Sequence, residues 1–281
     1  MDKIRRNERM SAMMKILAAK PNRIFTLSYF CDLFGSAKST MSEDIDILRD
    51  VVAHFGLGEL ETVTGAAGGV RYRAMPSADR TKVRRPEARK FIGDLCQQLS
   101  EEGRVLPGGF LYYSDILSTP EIVTRMGEIM ATEYYAAAPD FVLTMETKGI
   151  PVAFATANAL GVPLVIARRS SKVYEGSAVN INYVSGSSGH IETMSLSRRA
   201  VQEGQKCLIV DDFLKGGGTA KGMVDLMREF NVDVVGMTFV MSTAKPVKKR
   251  VMGEKSLMVM DIDQEHETVL VKPAFWLNGD A

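Results

Sequence analysis

"CLIVDDFLKGGGTAKGM", residues 207–223, decides how the rest of the chain is read. The apolar run Cys207–Val210 is short, continuous and bounded by polar residues. That pattern fits a strand covered on both faces. Asp211 and Asp212 follow it, and Gly216, Gly217, Gly218 and Thr219 come just before a helical pattern. Vicinal ribose hydroxyls donate hydrogen bonds, and these carboxylates can accept them directly or through a bound Mg²⁺. The glycines let the backbone turn tightly and approach a phosphate. Thr219 adds a hydroxyl at a helix N-terminus, where an anion gains roughly 0.3–1 kcal/mol. An ordinary strand-to-helix turn also fits three glycines. Two aspartates at a fixed offset behind an apolar strand favour the phosphate cradle. Lys215 is the odd member, a long cation where a ligand would lie.

Outward from this stretch the chain alternates strand and helix. "FVLTM" (141–145) reads as a buried strand. "IPVAFATANALG" (150–161) reads as a helix with Pro151 near its start and Gly161 past its end. "PLVIA" (163–167) and "VDVVGMTFVM" (232–241) read as further strands. Strand–helix–strand order predicts a parallel sheet with helices on its faces. Ligands of such sheets bind beyond the carboxyl ends of the strands. Two polar loops fall there, "ETKG" (146–149) with Thr147, Lys148 and Gly149, and "DDFLKGGGT" (211–219). Between them, Val179, Ile181 and Tyr183 alternate with polar residues before "SGSSGH" turns the chain. This predicts a long antiparallel hairpin with a flexible tip, placed as a lid over the cleft. Lys172 and Tyr183 are its candidate ligand-facing residues.

The first 74 residues are of another kind. Met10, Met13, Met14 and Leu17 share one helical face, and Pro21 and Asn22 stop that helix. Leu27, Phe30, Cys31 and Phe34 repeat the spacing behind Thr26, a good N-cap, and Gly35 ends the run. A third helix begins near Ser36–Ser39 and buries Met41, Ile45, Leu48 and Val52. "GELETVTGAAGGVRYRA" (58–74) reads as two strands around a glycine-rich turn. Three helices with a tight second turn, then a hairpin, describe a winged helix-turn-helix, whose third helix enters the major groove. Its first turn offers Ser36, Lys38, Ser39, Thr40 and Ser42 to base edges and phosphates. Arg5 and Arg6 lie in a stretch (1–23) with seven basic residues against two acidic, and Arg71 and Arg73 lie on the wing. Basic patches of this kind suit a polyanion. A small helical docking module with a solvated face is the other reading. "AMPSADRTKVRRPEARKF" (74–91), punctuated by Pro76 and Pro86, is read as a linker, giving domains of residues 1–74 and 75–281.

Composition sets limits on the whole. With 46% hydrophobic and 25% charged residues, the chain is an ordinary globular protein. No run approaches a membrane span, and "MDKIRRNERM" carries no apolar stretch behind its charges. Cys31, Cys96 and Cys207 are scattered in apolar segments, as expected of a cytoplasmic protein. His54, His190 and His266 show no metal spacing, so no metal site of the chain's own is expected.

The residues also carry a resemblance. "LIVDDFLKGGGTA" (208–220) resembles the phosphoribosyl-pyrophosphate (PRPP) motif of type I phosphoribosyltransferases, and "METKGIPVAFA" (145–155) resembles their pyrophosphate loop. "ARRSSKVYEGSAVNINYVSGSS" (167–188) is similar to the flexible hood of purine-type members. With the first domain, and with "SAKSTMSEDI", "TGAAGGVRY", "RVLPGGFLYYSDIL" and "YVSGSSGHIETMSL", the chain resembles the purine operon repressors of Gram-positive bacteria. The resemblance implies a homodimer that binds operator DNA, represses purine synthesis and transport genes, and is released by PRPP. It implies an α/β fold, a winged helix-turn-helix followed by a phosphoribosyltransferase-like domain. Asp211 and Asp212 would hold the ribose hydroxyls, Gly216 to Thr219 the 5′-phosphate, and Thr147, Lys148 and Gly149 the pyrophosphate with its Mg²⁺.

Catalytic members of that family place a small residue or an aspartate where Lys215 stands, and threonine where Gly216 stands. A lysine cannot serve as the aspartate base some members use. The reading is therefore a regulator without transferase activity, with a purine phosphoribosyltransferase carrying an accessory domain as the alternative. Phe110 and Tyr112, with Phe213 in the loop itself, are candidates to stack on a purine, which would let a purine nucleotide compete with PRPP. Tyr113 is assigned to core packing instead. Release from DNA could run through the hood and the dimer. It could also be direct competition at a cleft made basic by Arg168, Arg169 and Lys172.

Overall fold

Apolar spacing and local capping build the first unit. The computed structural model describes residues 4–65, 68–73, 78–107, 110–170, 176–185, 189–263 and 268–278, with side chains of 78–84 left aside. The chain divides at Thr81/Lys82, a little beyond the expected boundary. Helix α1 (Arg6–Ala18) buries Met13 and Leu17. Helix α2 (Leu27–Phe34) starts where the Thr26 hydroxyl accepts from Tyr29 N at 3.2 Å and stops at Gly35, whose φ is +58°. Helix α3 (Lys38–His54) buries Met41, Ile45, Leu48 and Val52. Strands β1 (Glu59–Val63) and β2 (Gly69–Arg73) pair antiparallel as the wing, with Phe25 bridged to Val70. Phe30 and Leu60 close the core between helices and wing.

The second unit opens with a correction. The expected linker is largely helical, because helix α4 runs Ala78–Leu99 straight through Pro86. Ala88, Ile92, Leu95, Cys96 and Leu99 form a buried stripe at helical spacing. A proline inside a helix costs about 3 kcal/mol, which the packing of that stripe and the good helix formers Arg, Lys and Glu offset. Within the charge run that reads as a linker, Glu87, Arg89 and Lys90 are exposed, while Arg85 is half-buried and paired with Glu133.

A short hairpin, β3 (Val105–Leu106) and β4 (Phe110–Leu111), leads to α5 (Ser114–Ser118) and α6 (Pro120–Tyr134). Then follow β5 (Phe141–Met145), α7 (Ile150–Leu160), β6 (Leu164–Ala167) and the antiparallel hairpin β7 (Ala178–Val184) and β8 (Ile191–Ser197). Strand β9 (Lys206–Leu214), α8 (Gly218–Glu229), β10 (Asp233–Thr243), β11 (Lys255–Asp263) and β12 (Thr268–Pro273) complete the unit. The main sheet has six strands in the order β12-β11-β10-β9-β5-β6, all parallel except β12. Leu208 and Val210 join the core under α4, α6 and α7, while Cys207 and Ile209 join the core under α8 and the hairpin. The alternation is the two-residue period of a strand buried on both faces.

This order places a switch point. From β5 the chain steps to β6 on one side, and β9 enters on the other. Crevices open at such points beyond the strand ends. The β5–β9 pairing stops at Leu143↔Ile209, whereas β9 stays paired with β10 as far as Leu214↔Ser242. Asp211 and Asp212 therefore lie inside the strand, not after it as the sequence suggests. Support from β10 carries the strand past them, and the side facing β5 is open.

Candidate ligand cleft and DNA-facing helix

The crevice between β5 and β9 holds a cavity of about 480 Å³. Thr147 and Lys148 line it from the loop after β5, Asp211, Asp212, Phe213 and Lys215 from β9 and its end. Gly217, Gly218 and Thr219 line it at the start of α8, and Tyr183 from the hairpin. Gly217 has φ +80° and caps α8 in the left-handed conformation, a geometry suited to glycine. Gly149 packs against Asp211 beside the cavity, and Gly216 is not among the residues that line it. A Cβ on Gly149 would stand 2.1 Å from Asp211 Oδ1 and 2.7 Å from Thr144 Oγ1. The loop backbone thus rests directly on the aspartate, a closeness only glycine permits.

Both aspartates are buried, 7% and 9% exposed, which is unusual for carboxylates that form no ion pair among the described residues. Burial, and then the charge of Asp212, push the Asp211 carboxyl well above its usual range. Folded Asp211 therefore holds its proton more tightly than the unfolded chain does. A carboxyl raised in this way costs stability as pH rises from its ordinary value through the raised one. Asp211→Asn is expected to raise the melting temperature at pH 7 by about 2–4 °C for each kcal/mol recovered, and to leave it unchanged near pH 3.5. Calorimetric scans across that range check it. Groups perturbed in this way concentrate at binding sites. The Thr144 hydroxyl, buried beside Asp211, has no hydrogen-bond partner among the described residues.

Tyr113 does more than the sequence reading assigned to it. It packs against the core as expected, and its hydroxyl also donates to Asp212 Oδ2 at 2.6 Å and lines the cleft. Its ring stacks on Phe213 at 6.2 Å and carries Lys148 Nζ 4.9 Å from its centroid. The cleft also gathers Arg169, which the sequence reading placed near it, and Glu146, Ser185 and Glu192, which were not among the candidate residues. Glu146 accepts from Arg169 N at 2.8 Å, tying the pyrophosphate-type loop to the strand end of β6. In the hairpin, Tyr183 donates to Glu192 at 2.8 Å, and its phenol is pushed up to about 12 by burial and by that carboxylate. Lys172 lies outside the described residues.

A second, larger cavity of about 1260 Å³ adjoins the first. Phe110 and Tyr112 line it, as do Leu106, Lys245 and Met260, and it shares Tyr113, Lys148, Phe213 and Lys215 with the cleft. Both aromatic rings are largely exposed, at 67% and 46%, so they are available to a planar ligand. Among the described residues no group of three His, Cys, Asp or Glu side chains converges as a metal site. No helix there is long and apolar enough to cross a membrane.

In the first unit, Lys38, Ser39 and Ser42 are exposed at the start of α3, and Ser36 and Thr40 are half-buried. The N-cap, Ala37, supplies no side-chain oxygen, so the first-turn amides stay open to an anion. Ser36 is turned inward, its hydroxyl donating to Phe34 O at 3.2 Å. Arg5 is exposed, and its backbone N–H donates to the Glu8 carboxylate at 2.9 Å. Arg6 and Arg71 have partners within the unit, Arg6 bonding Asp44 at 2.9 Å and Arg71 bonding Glu61 at 2.8 Å.

Fold and cleft define the class, a type I phosphoribosyltransferase-like unit behind a winged helix-turn-helix. Residues 5–74 match the family described as bacterial purine repressor, N-terminal, and residues 113–274 match the phosphoribosyl transferase domain. The chain is 42% identical, over 96% of both chains, to the probable purine biosynthesis transcriptional regulator PurR of Streptococcus pneumoniae. It is 43% identical to the purine biosynthesis transcriptional repressor PurR of Bacillus subtilis, over 90% of this chain and 86% of that one. The purine biosynthesis transcriptional activator PurR of Lactococcus lactis is 39% identical over 92% and 93%. The chain belongs to this PurR family of transcriptional regulators. Among solved structures, adenine phosphoribosyltransferase from Thermoanaerobacter pseudethanolicus superposes with a TM-score of 0.52 at 23% identity. That match covers 59% of this chain and 98% of the other, and it shows the fold of the second unit alone.

Proposed function

We propose that this chain is a transcriptional repressor of purine biosynthesis and transport genes that binds operator DNA as a homodimer and is released by PRPP. The observation that carries the reading is the pairing, on one chain, of an uncapped, lysine-bearing α3 with a cleft that presents Asp211 and Asp212 beside a glycine-rich helix start. The buried, glycine-cradled carboxylates fit a ribose, and the open amides of α8 fit its 5′-phosphate. Lys148 and Lys215 fit the diphosphate, and Mg²⁺ would arrive with it.

Binding is where the chemistry stops in this reading. Transfer to a base needs the anomeric carbon open to attack and a base held beside it. Lys215 lines both cavities at their junction, where it neutralises phosphate charge and offers no carboxylate base. The larger cavity supports a second ligand class, a purine nucleotide stacked on Phe110 or Tyr112 that competes with PRPP. Release obeys linkage, so PRPP weakens DNA binding only as far as it prefers the arrangement that cannot bind DNA.

A gel shift on a purine-operon control region tests the whole reading. Retarded DNA should be released on PRPP addition, and no pyrophosphate should form from PRPP with any purine base. Retardation that PRPP leaves intact would sink the effector assignment. Steady pyrophosphate production would favour the enzyme instead. Lys38→Ala should weaken operator binding about tenfold and lower the salt slope by about 1. The same variant should keep its PRPP affinity, as read by calorimetry.

A further inference from the structure

Tyr113 stands at the junction of the two cavities and lines both. Its hydroxyl holds Asp212 at 2.6 Å, and its ring seats the Lys148 ammonium 4.9 Å from the centroid. One side chain thus engages a carboxylate that suits a sugar and a cation that suits a diphosphate. Burial and the neighbouring carboxylates hold the phenol's pKa far up, so it keeps its proton and acts toward Asp212 as a donor.

Ligands differ in what they can offer Asp212. A ribose diol brings hydroxyl donors and can replace the phenol hydrogen bond. A bare diphosphate brings only acceptors. It can draw on Lys148 and the helix start of α8, but without Mg²⁺ it gives the carboxylate nothing. The Tyr113–Asp212 bond therefore stays compatible with a bare diphosphate and competes with a diol.

We propose that Tyr113 is a specificity-determining residue of the cleft: its hydroxyl competes for Asp212, so that ligands carrying a vicinal diol must break that bond and bare diphosphates need not. The proposal rests on the reading of the cleft as a PRPP site. It predicts an unusual direction for a substitution beside the ligand, tighter binding after a hydrogen-bonding group is removed.

The test uses the full chain and Tyr113→Phe, which keeps the ring beneath Lys148 and against Phe213 and removes only the hydroxyl. Calorimetry in the absence of Mg²⁺, so that no metal-bound water can donate to Asp212, would measure PRPP, ribose 5-phosphate and inorganic pyrophosphate. PRPP and ribose 5-phosphate should each bind about tenfold tighter, the scale of one hydrogen bond to a charged group, while pyrophosphate stays within about twofold. An equal change for all three probes, or weaker PRPP binding, overturns the proposal. If the parent chain binds PRPP and the variant gains nothing, the tyrosine inference falls alone. If the parent binds none of the three, the PRPP reading falls and takes the inference with it. Tyr113→Leu is the second variant. It should keep the gain for ribose 5-phosphate, which has no diphosphate, yet weaken pyrophosphate binding, because Lys148 loses its seat.

Discussion

Asp211→Ala combined with Asp212→Ala is expected to yield a regulator that stays on its operator at PRPP concentrations that release the parent chain. In the proposed PRPP site each carboxylate takes a hydroxyl or a Mg²⁺-bound oxygen. Hydrogen bonds to a charged group are worth about 1.5–3 kcal/mol each. Loss of two sets the expected fall in PRPP affinity at roughly 10²–10⁴-fold. Operator affinity in the absence of PRPP should stay within about twofold, because both aspartates lie in the second unit. Calorimetry measures the first quantity and a gel-shift titration with rising PRPP the second. Release at the parent's PRPP concentration would show that the ligand sits elsewhere. Asp211→Asn with Asp212→Asn is the control for packing. It preserves shape, leaves the Tyr113 hydroxyl an acceptor, and should lose most of the same affinity.

What the sequence could carry followed from range. Thr26 and Gly35 mark the ends of α2 because a cap is a contact within four residues. The parallel sheet was readable because β5 and β9 are apolar on both faces, and the aspartates stood out against that background. Local signals misled where two of them disagreed. Pro86 and the surrounding charges point to a linker, yet the buried stripe Ala88–Leu99 extends a helix through them. Strands β11 and β12 and helix α6 have no motif to mark them. Long-range bonds left no trace at all. Tyr113 meets Asp212 across 99 positions, and no spacing rule joins them. Arg6, Arg9 and Asp44 likewise read as charges on separate helices until α1 and α3 pack.

That last cluster carries the largest expected effect on stability. Asp44 is fully buried on the inner face of α3, where its two carboxylate oxygens accept from Arg9 Nε at 2.5 Å and Arg6 Nε at 2.9 Å. Arg9 is itself only 7% exposed. Removing one member of a buried pair strands the other charge without water, at about 3–5 kcal/mol. A unit of this size has roughly 4–12 kcal/mol in total. Asp44→Ala should therefore leave the first unit partly unfolded at 37 °C, with operator binding lost in proportion. The second unit should melt as in the parent and keep its PRPP affinity. Scanning calorimetry would show one transition displaced to low temperature and the other unmoved. Arg9→Met with Asp44→Leu separates charge from packing. With no stranded ion, an apolar pair of similar volume should regain most of the loss, as other buried pairs do when replaced whole. If Asp44→Ala alone melted like the parent, the pair would be a surface contact in solution. The angle between α1 and α3 would then rest on Met13, Leu17, Met41 and Ile45 alone.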